Sequence, residues 1–193
     1  MPGIRSFIAL PTQSIAQQAI AEIQAKLKAT QANVKWESQD KFHITLVFLG
    51  NVEQPKLELL STTLAKSVLQ FPSFTIAYES IGAFPNIHNP RVVWIGAKSS
   101  QTVLDLQATT GRICAEFGFP QEARVFHPHI TLGRVKETHN FVRLTEAIKT
   151  ITFEPIETFC SEILLMKSEL YPSGSIYTIL KSLPLHTQPE RVP

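Results

Sequence analysis

The tetrapeptide His-Ile-Thr-Leu occurs twice in this chain, at residues 43–46 and 129–132, once in each half of its 193 residues. Each copy contains β-branched residues and is followed by a glycine, which is typical of a β-strand. Because side chains alternate between the two faces of a strand, the His and Thr of each copy share one face and the Ile and Leu share the other. The repeat favours a duplicated fold in which the two strands occupy equivalent places.

The remaining pattern predicts a similar order of elements in the two halves: strand, helix, motif strand, helix and strand. Such interleaving indicates an α+β protein with mostly antiparallel or mixed sheet, and the boundary between the repeats lies near residues 84–90. Each half is too short for a comfortable core, so we expect one domain over residues 1–183 and a loosely held tail over 184–193. Helices are predicted at 14–28, 55–70, 100–117 and 138–150, and strands besides the second motif at 5–10, 33–37, 42–49, 74–83, 91–97, 158–167 and 176–182, with Gly50 ending the third of these strands.

Composition narrows the class of protein. The net charge of +2 is too small to predict a large footprint on duplex nucleic acid, although it leaves room for a local positive pocket for an anion or an RNA end. Cys114 and Cys160 form neither a disulfide framework nor a four-cysteine metal site, and we expect buried thiols. No apolar run approaches the roughly 18–20 residues of a membrane span, and a signal-peptide pattern is lacking, so we expect a cytoplasmic protein.

The two motifs carry groups suited to acid–base chemistry. If the halves pack about a pseudo-two-fold axis, His43 and His129 flank one small site with Thr45 and Thr131 beside them. Histidine titrates near neutral pH, so one imidazole can hold a proton while the other lacks it. The threonine hydroxyls can donate hydrogen bonds to phosphoryl oxygens as charge develops on them. This chemistry requires no metal.

Structural explanations stay open at this point. A single His-x-Thr on a strand is usually no more than a strand, and a duplication with a purely structural role is an alternative. An apolar core, however, is not expected to contain His and Thr on one face twice, because burying either side chain without a hydrogen-bond partner costs free energy. The pair His127 and His129 also suggests a metal site as an alternative, but the sequence offers no clear third ligand.

Five segments together resemble a known family. The chain is similar to the two-histidine (2H) phosphoesterase superfamily, and within it to the RNA 2′,3′-cyclic phosphodiesterase family, also called the 2′-5′ RNA ligase family. The paired motif with its flanking Phe, Pro and Leu-Gly is the most specific part of the resemblance. The matching segments are RSFIAL (5–10), FHITLVFLGNV (42–52), RVVWIG (91–96), FHPHITLGRV (126–135) and SELYPSGSIYTIL (168–180).

The resemblance implies a bilobal α+β fold with helices outside a pseudo-two-fold cleft. It also implies hydrolysis of RNA or nucleoside 2′,3′-cyclic phosphates to 2′-phosphomonoesters without a metal or other cofactor. His43 with Thr45 and His129 with Thr131 match the family's two motifs. Our hypothesis makes His129 the base that activates water and His43 the acid that protonates the leaving 3′ oxygen. Reversible 2′-5′ RNA ligation and a non-catalytic nucleotide-binding module remain the alternatives.

Further residues are candidates around the cleft. Arg134 can grip phosphate, although a regular strand would put it on the face opposite His129, so the strand must end or twist there. His127 shares the face of His129 and can bind an anion when protonated. Tyr177 matches a position near the cleft in the family. Phe7, Phe42 and Phe126 are candidates for base stacking, with core packing as the alternative for each.

Trp94 is predicted to be a core residue, and the loop, helix-start and tail contexts of His88, His139 and His186 predict solvated side chains. The expected partners are RNA ends or nucleotides bearing a 2′,3′-cyclic phosphate. No membrane association and no obligate protein partner are expected, and a monomer is the default.

Overall fold

The computed structural model describes residues 3–120, 122–137, 140–172 and 174–187. Four α-helices and nine β-strands occur in these ranges, with one short 3-10 helix at Gln39–Lys41. The helices are α1 (Ser14–Lys28), α2 (Gln54–Val68), α3 (Gln101–Glu116) and α4 (Phe141–Thr150). The strands are β1 (Ile4–Pro11), β2 (Val34–Trp36), β3 (His43–Val52), β4 (Phe74–Phe84), β5 (Val92–Ala97), β6 (His129–Val135), β7 (Ile156–Cys160), β8 (Glu162–Tyr171) and β9 (Gly174–Pro184).

The helices form where the sequence has helical periodicity and end signals. In α1, Ile20, Ile23 and Leu27 lie on one face and are buried. Helix α2 has a proline in its first turn, where no intrahelical N–H is needed. Helix α3 is capped by Ser100, whose hydroxyl accepts a hydrogen bond from the Val103 N–H at 3.4 Å.

Two strand predictions differ from the structure. Strand β3 does not end at Gly50 but continues to Val52, because Gly50 adopts a φ of +71° at an irregularity in the pairing with β1. A glycine tolerates this left-handed conformation without steric cost, so it bends the strand instead of stopping it. The predicted strand 158–167 is two strands, β7 and β8, which separate at Ser161 and lie at different places in the sheet.

All strands belong to one sheet with the order β7-β4-β5-β6-β3-β1-β8-β9, and β2 pairs with β6 beside this path. Every pairing between named strands is antiparallel. We call β3, β1, β8 and β9 lobe 1, and β6, β5, β4 and β7 lobe 2. Helices α2 and α3 pack on lobe 1, whereas α1 and α4 pack on lobe 2. The predicted bilobal α+β class is therefore confirmed.

The two lobes are not the consecutive halves of the chain. Residues 85–91 connect β4 to β5, which are neighbours in lobe 2. The last strand of the first repeat, β4, thus lies in lobe 2, and β8 of the second repeat pairs with β1 in lobe 1. The order of elements along the chain does not reveal this exchange, because pairing depends on contacts between distant segments.

The C-terminal segment is held to the fold as far as His186. Leu185 is 2% exposed, and the His186 N–H donates to the Phe71 carbonyl at 2.8 Å. The predicted loose tail therefore does not begin at residue 184; residues 188–193, like His139, lie outside the described residues. Cys114 and Cys160 are buried thiols, as expected. No helix in the described residues is long and apolar enough to cross a membrane.

Candidate active site

The two motif strands meet at the junction of the lobes. Ile44 of β3 pairs with Ile130 of β6, and both side chains are buried in the core. The antiparallel register therefore sets His43 opposite Thr131, and Thr45 opposite His129. All four side chains point away from the core, to the side that we call the histidine face. The structure thus brings the two predicted pairs together at one place.

Both imidazoles are oriented by the same backbone contact. The Nδ1 of His43 lies 2.7 Å from the Lys41 carbonyl oxygen, and the Nδ1 of His129 lies 2.6 Å from the His127 carbonyl oxygen. Because a carbonyl oxygen only accepts hydrogen bonds, each Nδ1 carries the proton and donates it. The Nε2 atom is then a base in the neutral ring and an acid in the protonated ring. Each histidine is equipped for either role.

Aromatic side chains hold His43 in place. The Phe7 ring stacks on its imidazole with centroids 5.0 Å apart, and the edge of Tyr177 lies 5.4 Å away. Tyr177 also contacts Phe7 edge to face at 5.1 Å. These contacts remove rotational freedom from the imidazole, which favours a fixed direction for Nε2.

A different aromatic pair supports His129. Phe84 contacts the imidazole edge to face at 5.0 Å, and Trp94 lies 6.1 Å from it. The indole of Trp94 occupies space above two glycines, since an added Cβ at Gly82 or Gly96 would overlap its ring. Trp94 is half-buried on the histidine face, so its predicted position in the core is wrong. The Trp94 Nε1 atom is buried without a hydrogen-bond partner among the described residues.

We expect Gly82→Ala to destabilise the fold by about 1–3 kcal/mol, because the new methyl group forces Trp94 out of its place. Chemical denaturation measures the change in the free energy of unfolding. Gly111→Ala is the matched control: Gly111 lies within α3, its nearest heavy atom to an added Cβ is 3.9 Å away, and alanine there stabilises a helix. Equal stability of the wild type and Gly82→Ala would contradict the packing described for Trp94.

Burial lowers the pKa of both histidines. Desolvation lowers the pKa of His43 to about 4, with a smaller contribution from His129, and the bond to the Lys41 carbonyl opposes the shift. Desolvation also lowers the pKa of His129, and the nearby His127 and Arg134 charges lower it further against the bond to the His127 carbonyl. Both rings are therefore biased toward the neutral form.

A bulge brings Arg134 to the histidine face. Trp94 of β5 pairs with Thr131, but the next pair joins Val93 to Gly133, so Leu132 is an extra residue in β6. Val92, on the same face as Trp94, then pairs with Arg134. The alternation of a regular strand, which predicted the opposite face, is broken at this bulge.

Strand β3 has the same irregularity, between the pairs formed by Thr45 and Val47 with β1. By this symmetry Phe48 holds the place in lobe 1 that Arg134 holds in lobe 2. Phe48 is 68% exposed. The two lobes therefore match in backbone but differ in side chain at this point of the cleft.

Lysines extend the positive charge beyond Arg134. Lys35 of β2 is the register partner of Arg134. The Nζ atoms of Lys35 and Lys41 both lie 3.7 Å from the position that a Cβ would take at Gly174, at the start of β9. Lys35 therefore adds positive charge beside Arg134, and Lys41 brings a second ammonium group near that of Lys35.

The other candidate residues for ligand binding differ in how deeply they are buried. Phe7 is 3% exposed and its ring is covered by His43, so no free face is left for a base, which contradicts its predicted stacking role. Phe42 is 2% exposed and packs in the core, and it also lines a cavity beside His43. Phe126 is half-buried and packs against the core. His127 is exposed, and its carbonyl group contributes the bond to His129.

The two aromatic residues of lobe 2 that contact His129 were not predicted from the sequence. Phe84 lies at the end of an ordinary strand, and Trp94 lies in a run, VVWIG, that has the composition of a buried strand. The available signal was the pair Gly82 and Gly96, since small residues within strands often mark a close approach of another group. Among the described residues, no three His, Cys, Asp or Glu side chains are grouped to hold a metal ion.

A pseudo-symmetric cleft with one histidine and one threonine from each lobe defines the two-histidine type of phosphoesterase site. The chain belongs to the LigT-like phosphoesterase family, whose model matches residues 10–94 and 95–177. The resemblance noted in the sequence is thereby confirmed.

Named relatives and a solved structure agree over nearly the whole chain. The chain is 34% identical over 176 residues to an RNA 2′,3′-cyclic phosphodiesterase of Methanothermobacter thermautotrophicus, covering 91% of this chain and 95% of that one. It is 32% identical over 177 residues to the protein of the same name in Thermotoga maritima, covering 92% and 93%. The crystal structure of Escherichia coli LigT complexed with 3′-AMP superposes with a TM-score of 0.76 at 28% identity, covering 96% of this chain and 99% of that one.

Proposed function

We propose that this protein hydrolyses 2′,3′-cyclic phosphates at RNA ends or on nucleosides to 2′-phosphomonoesters. The observation that carries the proposal is the pair of equally oriented imidazoles, each with a threonine beside it. Within the described ranges, neither Nε2 atom has a hydrogen-bond partner. The names of the relatives support this substrate class, and the nucleotide in the E. coli LigT complex supports a nucleotide-sized ligand. We propose that the protein acts in the cytoplasm as a monomer and needs no protein partner.

The proposed reaction is an in-line displacement at phosphorus. The Nε2 of His129 takes a proton from water, and the water oxygen forms a bond to phosphorus. The bond from phosphorus to the 3′ oxygen breaks, and that oxygen takes the proton from Nε2 of His43. The product carries a 2′-phosphate and a free 3′-hydroxyl. His129 is left protonated and His43 neutral, and exchange with solvent restores the starting state.

The surroundings of the two rings support these roles. Without a bound anion, the pKa of about 4 would by itself make His43 the base. An anionic phosphate changes this balance, because its attraction for a protonated ring is strongest where the ring is most desolvated. The permanent charge of Arg134 lies close enough to His129 to lower its pKa, which favours the neutral ring that a base requires. We therefore assign His43 as the acid and His129 as the base.

Hydrogen-bond donors near the histidines suit the phosphoryl oxygens. We assign Thr45 and Thr131 as hydroxyl donors and Arg134 as the guanidinium that can donate two parallel bonds to phosphate. His127 is exposed at the entrance to β6 and adds charge there when protonated.

The direct test follows the product by ³¹P NMR. The protein is incubated with a nucleoside 2′,3′-cyclic phosphate in EDTA, and the expected product is the 2′-monophosphate alone. A 3′-monophosphate would contradict the assigned leaving group, and loss of activity in EDTA would contradict the metal-free reaction. Binding of the nucleotide without turnover would favour the non-catalytic binding module instead.

Ligation to a 2′-5′ bond remains the second candidate function. It is the same displacement with an RNA 5′-hydroxyl in place of water: the 5′ oxygen bonds to phosphorus, and the 3′ oxygen leaves with the proton from His43. The lysines beside Arg134 would suit a second RNA chain. Incubating a cyclic-phosphate RNA with a 5′-hydroxyl RNA distinguishes it by gel electrophoresis of a joined product.

The acid and base roles predict opposite effects on the pH dependence of the rate. Replacing the base removes the acidic limb of the kcat/KM profile, because that limb reports protonation of the base. Replacing the acid removes the alkaline limb. We expect His129→Asn to flatten the acidic limb and His43→Asn to flatten the alkaline limb of the residual activity. Changes on the same limb in both variants would refute the assignment.

A further inference from the structure

An open cavity of about 200 Å³ lies next to His43 on the histidine face of lobe 1. Its walls are largely apolar, and His43 and Tyr177 form the edge nearest the proposed reaction site. A larger cavity of about 290 Å³ lies between α2 and β9, but neither histidine lines it. The smaller cavity is therefore the one that a molecule reacting at His43 can enter. Its apolar lining consists of Ala9, Pro11, Phe42, Leu164, Met166 and Ile179.

The symmetry of the sheet explains why this cavity is open. Ala9 pairs with Thr45 in lobe 1, and Trp94 pairs with Thr131 in lobe 2. The two residues hold equivalent places beside the two motif strands. In lobe 2 the indole fills the space next to His129, whereas in lobe 1 a methyl group leaves the matching space next to His43 empty. This difference between the lobes leaves an open cavity beside His43.

The size and lining of the cavity suit a nucleobase. Sites for drug-sized ligands are about 300–1,000 Å³, so this cavity takes a fragment of a nucleotide and not the whole. Apolar walls accept the faces of a flat ring, and the Tyr177 ring at the edge adds an aromatic contact. With the base in this cavity, the cyclic phosphate attached to its ribose lies toward the two histidines.

Besides His43 and Tyr177, three polar residues line the cavity: Thr12, Gln17 and Asp40. The Thr12 hydroxyl is already hydrogen-bonded to the Tyr78 hydroxyl at 3.0 Å. Asp40 lies in the 3-10 helix and Gln17 in α1. Asp40 makes no ion pair in the described part of the chain. An ionised carboxylate only accepts hydrogen bonds, and two parallel donors satisfy it best. Among the four bases only guanine offers two adjacent donors, N1–H and the N2 amino group, on one edge.

We propose that the cavity beside His43 holds the base of the nucleotide that carries the cyclic phosphate, and that Asp40 gives it a preference for guanine. This inference rests on the proposed function, because it names the base of that substrate. Gln17 is a positioning residue at the same edge, with an amide that can donate to a base carbonyl.

The test compares kcat/KM for the 2′,3′-cyclic phosphates of guanosine, adenosine, cytidine and uridine. We expect the guanosine compound to lead by about tenfold or more, which is within the range for one bidentate pair. Asp40→Asn is expected to bring the four values to within about threefold of one another, because an amide presents one donor where the carboxylate presented an acceptor. Asp105→Asn, an exposed aspartate on α3, is the matched control and should keep the preference.

Filling the cavity tests its role independently. We expect Ala9→Leu to lower kcat/KM for all four nucleotides by about tenfold more than it lowers kcat/KM for methyl riboside 2′,3′-cyclic phosphate, which has no base. Equal losses with and without a base would overturn the proposal, as would equal rates for the four bases in the wild type. If no cyclic phosphate is hydrolysed, the proposed function fails. The role of the cavity is then tested by measuring the binding of the four nucleoside 2′-monophosphates. A preference for the guanosine compound that is lost in Asp40→Asn would support the cavity as the base site, and equal affinities would overturn it.

Discussion

Hydrolysis of a nucleoside 2′,3′-cyclic phosphate is expected to slow by about 10²–10⁴-fold when either His43 or His129 is replaced by alanine. Each imidazole has its Nδ1 bonded to a backbone carbonyl and its Nε2 available for one proton transfer. Removing either ring leaves water to move that proton without a fixed position. Steady-state kinetics on purified protein, with kcat and KM reported separately, measures the loss.

The double variant sharpens this expectation. The two histidines act in one displacement, so their losses should not multiply, and the double variant should be little slower than the worse single variant. His88→Ala is the control, because His88 is exposed in the loop between β4 and β5. Circular dichroism and thermal unfolding show whether each variant folds. A folded His43→Ala or His129→Ala protein with activity within about fivefold of the wild type would exclude the two-histidine mechanism.

Local patterns in the sequence predicted which side chains of the site share a face. The alternation of a strand was enough to put His43 with Thr45, and His129 with Thr131, on shared faces. Helix periodicity and end signals located the four helices, because those preferences act within a few residues. What these features share is that neighbours in the chain determine them.

Features that depend on distant contacts could not be predicted in the same way. The bulge at Leu132, which turns Arg134 to the histidine face, arises from the pairing of β6 with β5 and has no distinct residue signal. The break at Ser161 interrupts a continuous apolar run, and only the sheet order shows that β7 and β8 belong to different lobes. The cavity beside His43 depends on Ala9 standing where symmetry places Trp94, which becomes visible only once both registers are known.

The lowered pKa of His43 predicts a specific loss of stability in acid. The folded protein holds this pKa at about 4, whereas the ordinary value in an unfolded chain is 6.5. Between these values the unfolded chain binds the proton and the folded protein does not. The free energy of unfolding therefore falls as the pH falls through this window, and above about pH 6.5 the penalty is absent. His129 acts in the same direction.

Urea unfolding of the wild type and of His43→Asn at about pH 7 and about pH 4.5 isolates this contribution. The drop in the free energy of unfolding between the two pH values should be smaller in His43→Asn by about 2 kcal/mol, because asparagine does not titrate and other groups cancel in the comparison. His88→Asn controls for the removal of a histidine elsewhere and should keep the wild-type drop. If the free energy of unfolding drops equally in His43→Asn and the wild type, folding does not desolvate His43.

This acid sensitivity and the proposed chemistry have the same physical origin. The contacts with Phe7 and Tyr177 that remove water from His43 also fix the direction of its Nε2. Desolvation lowers the stability of the fold when the ring is protonated without a bound anion. The same desolvation makes the pKa of the ring respond strongly to an anion that enters the cleft. The protonated acid is thus expected to form with the substrate bound. A cyclic phosphate or a 2′-monophosphate should accordingly raise the pKa of His43, and ¹H–¹⁵N NMR of the imidazole with and without the product measures that rise; an unchanged pKa would remove His43 from the role of acid.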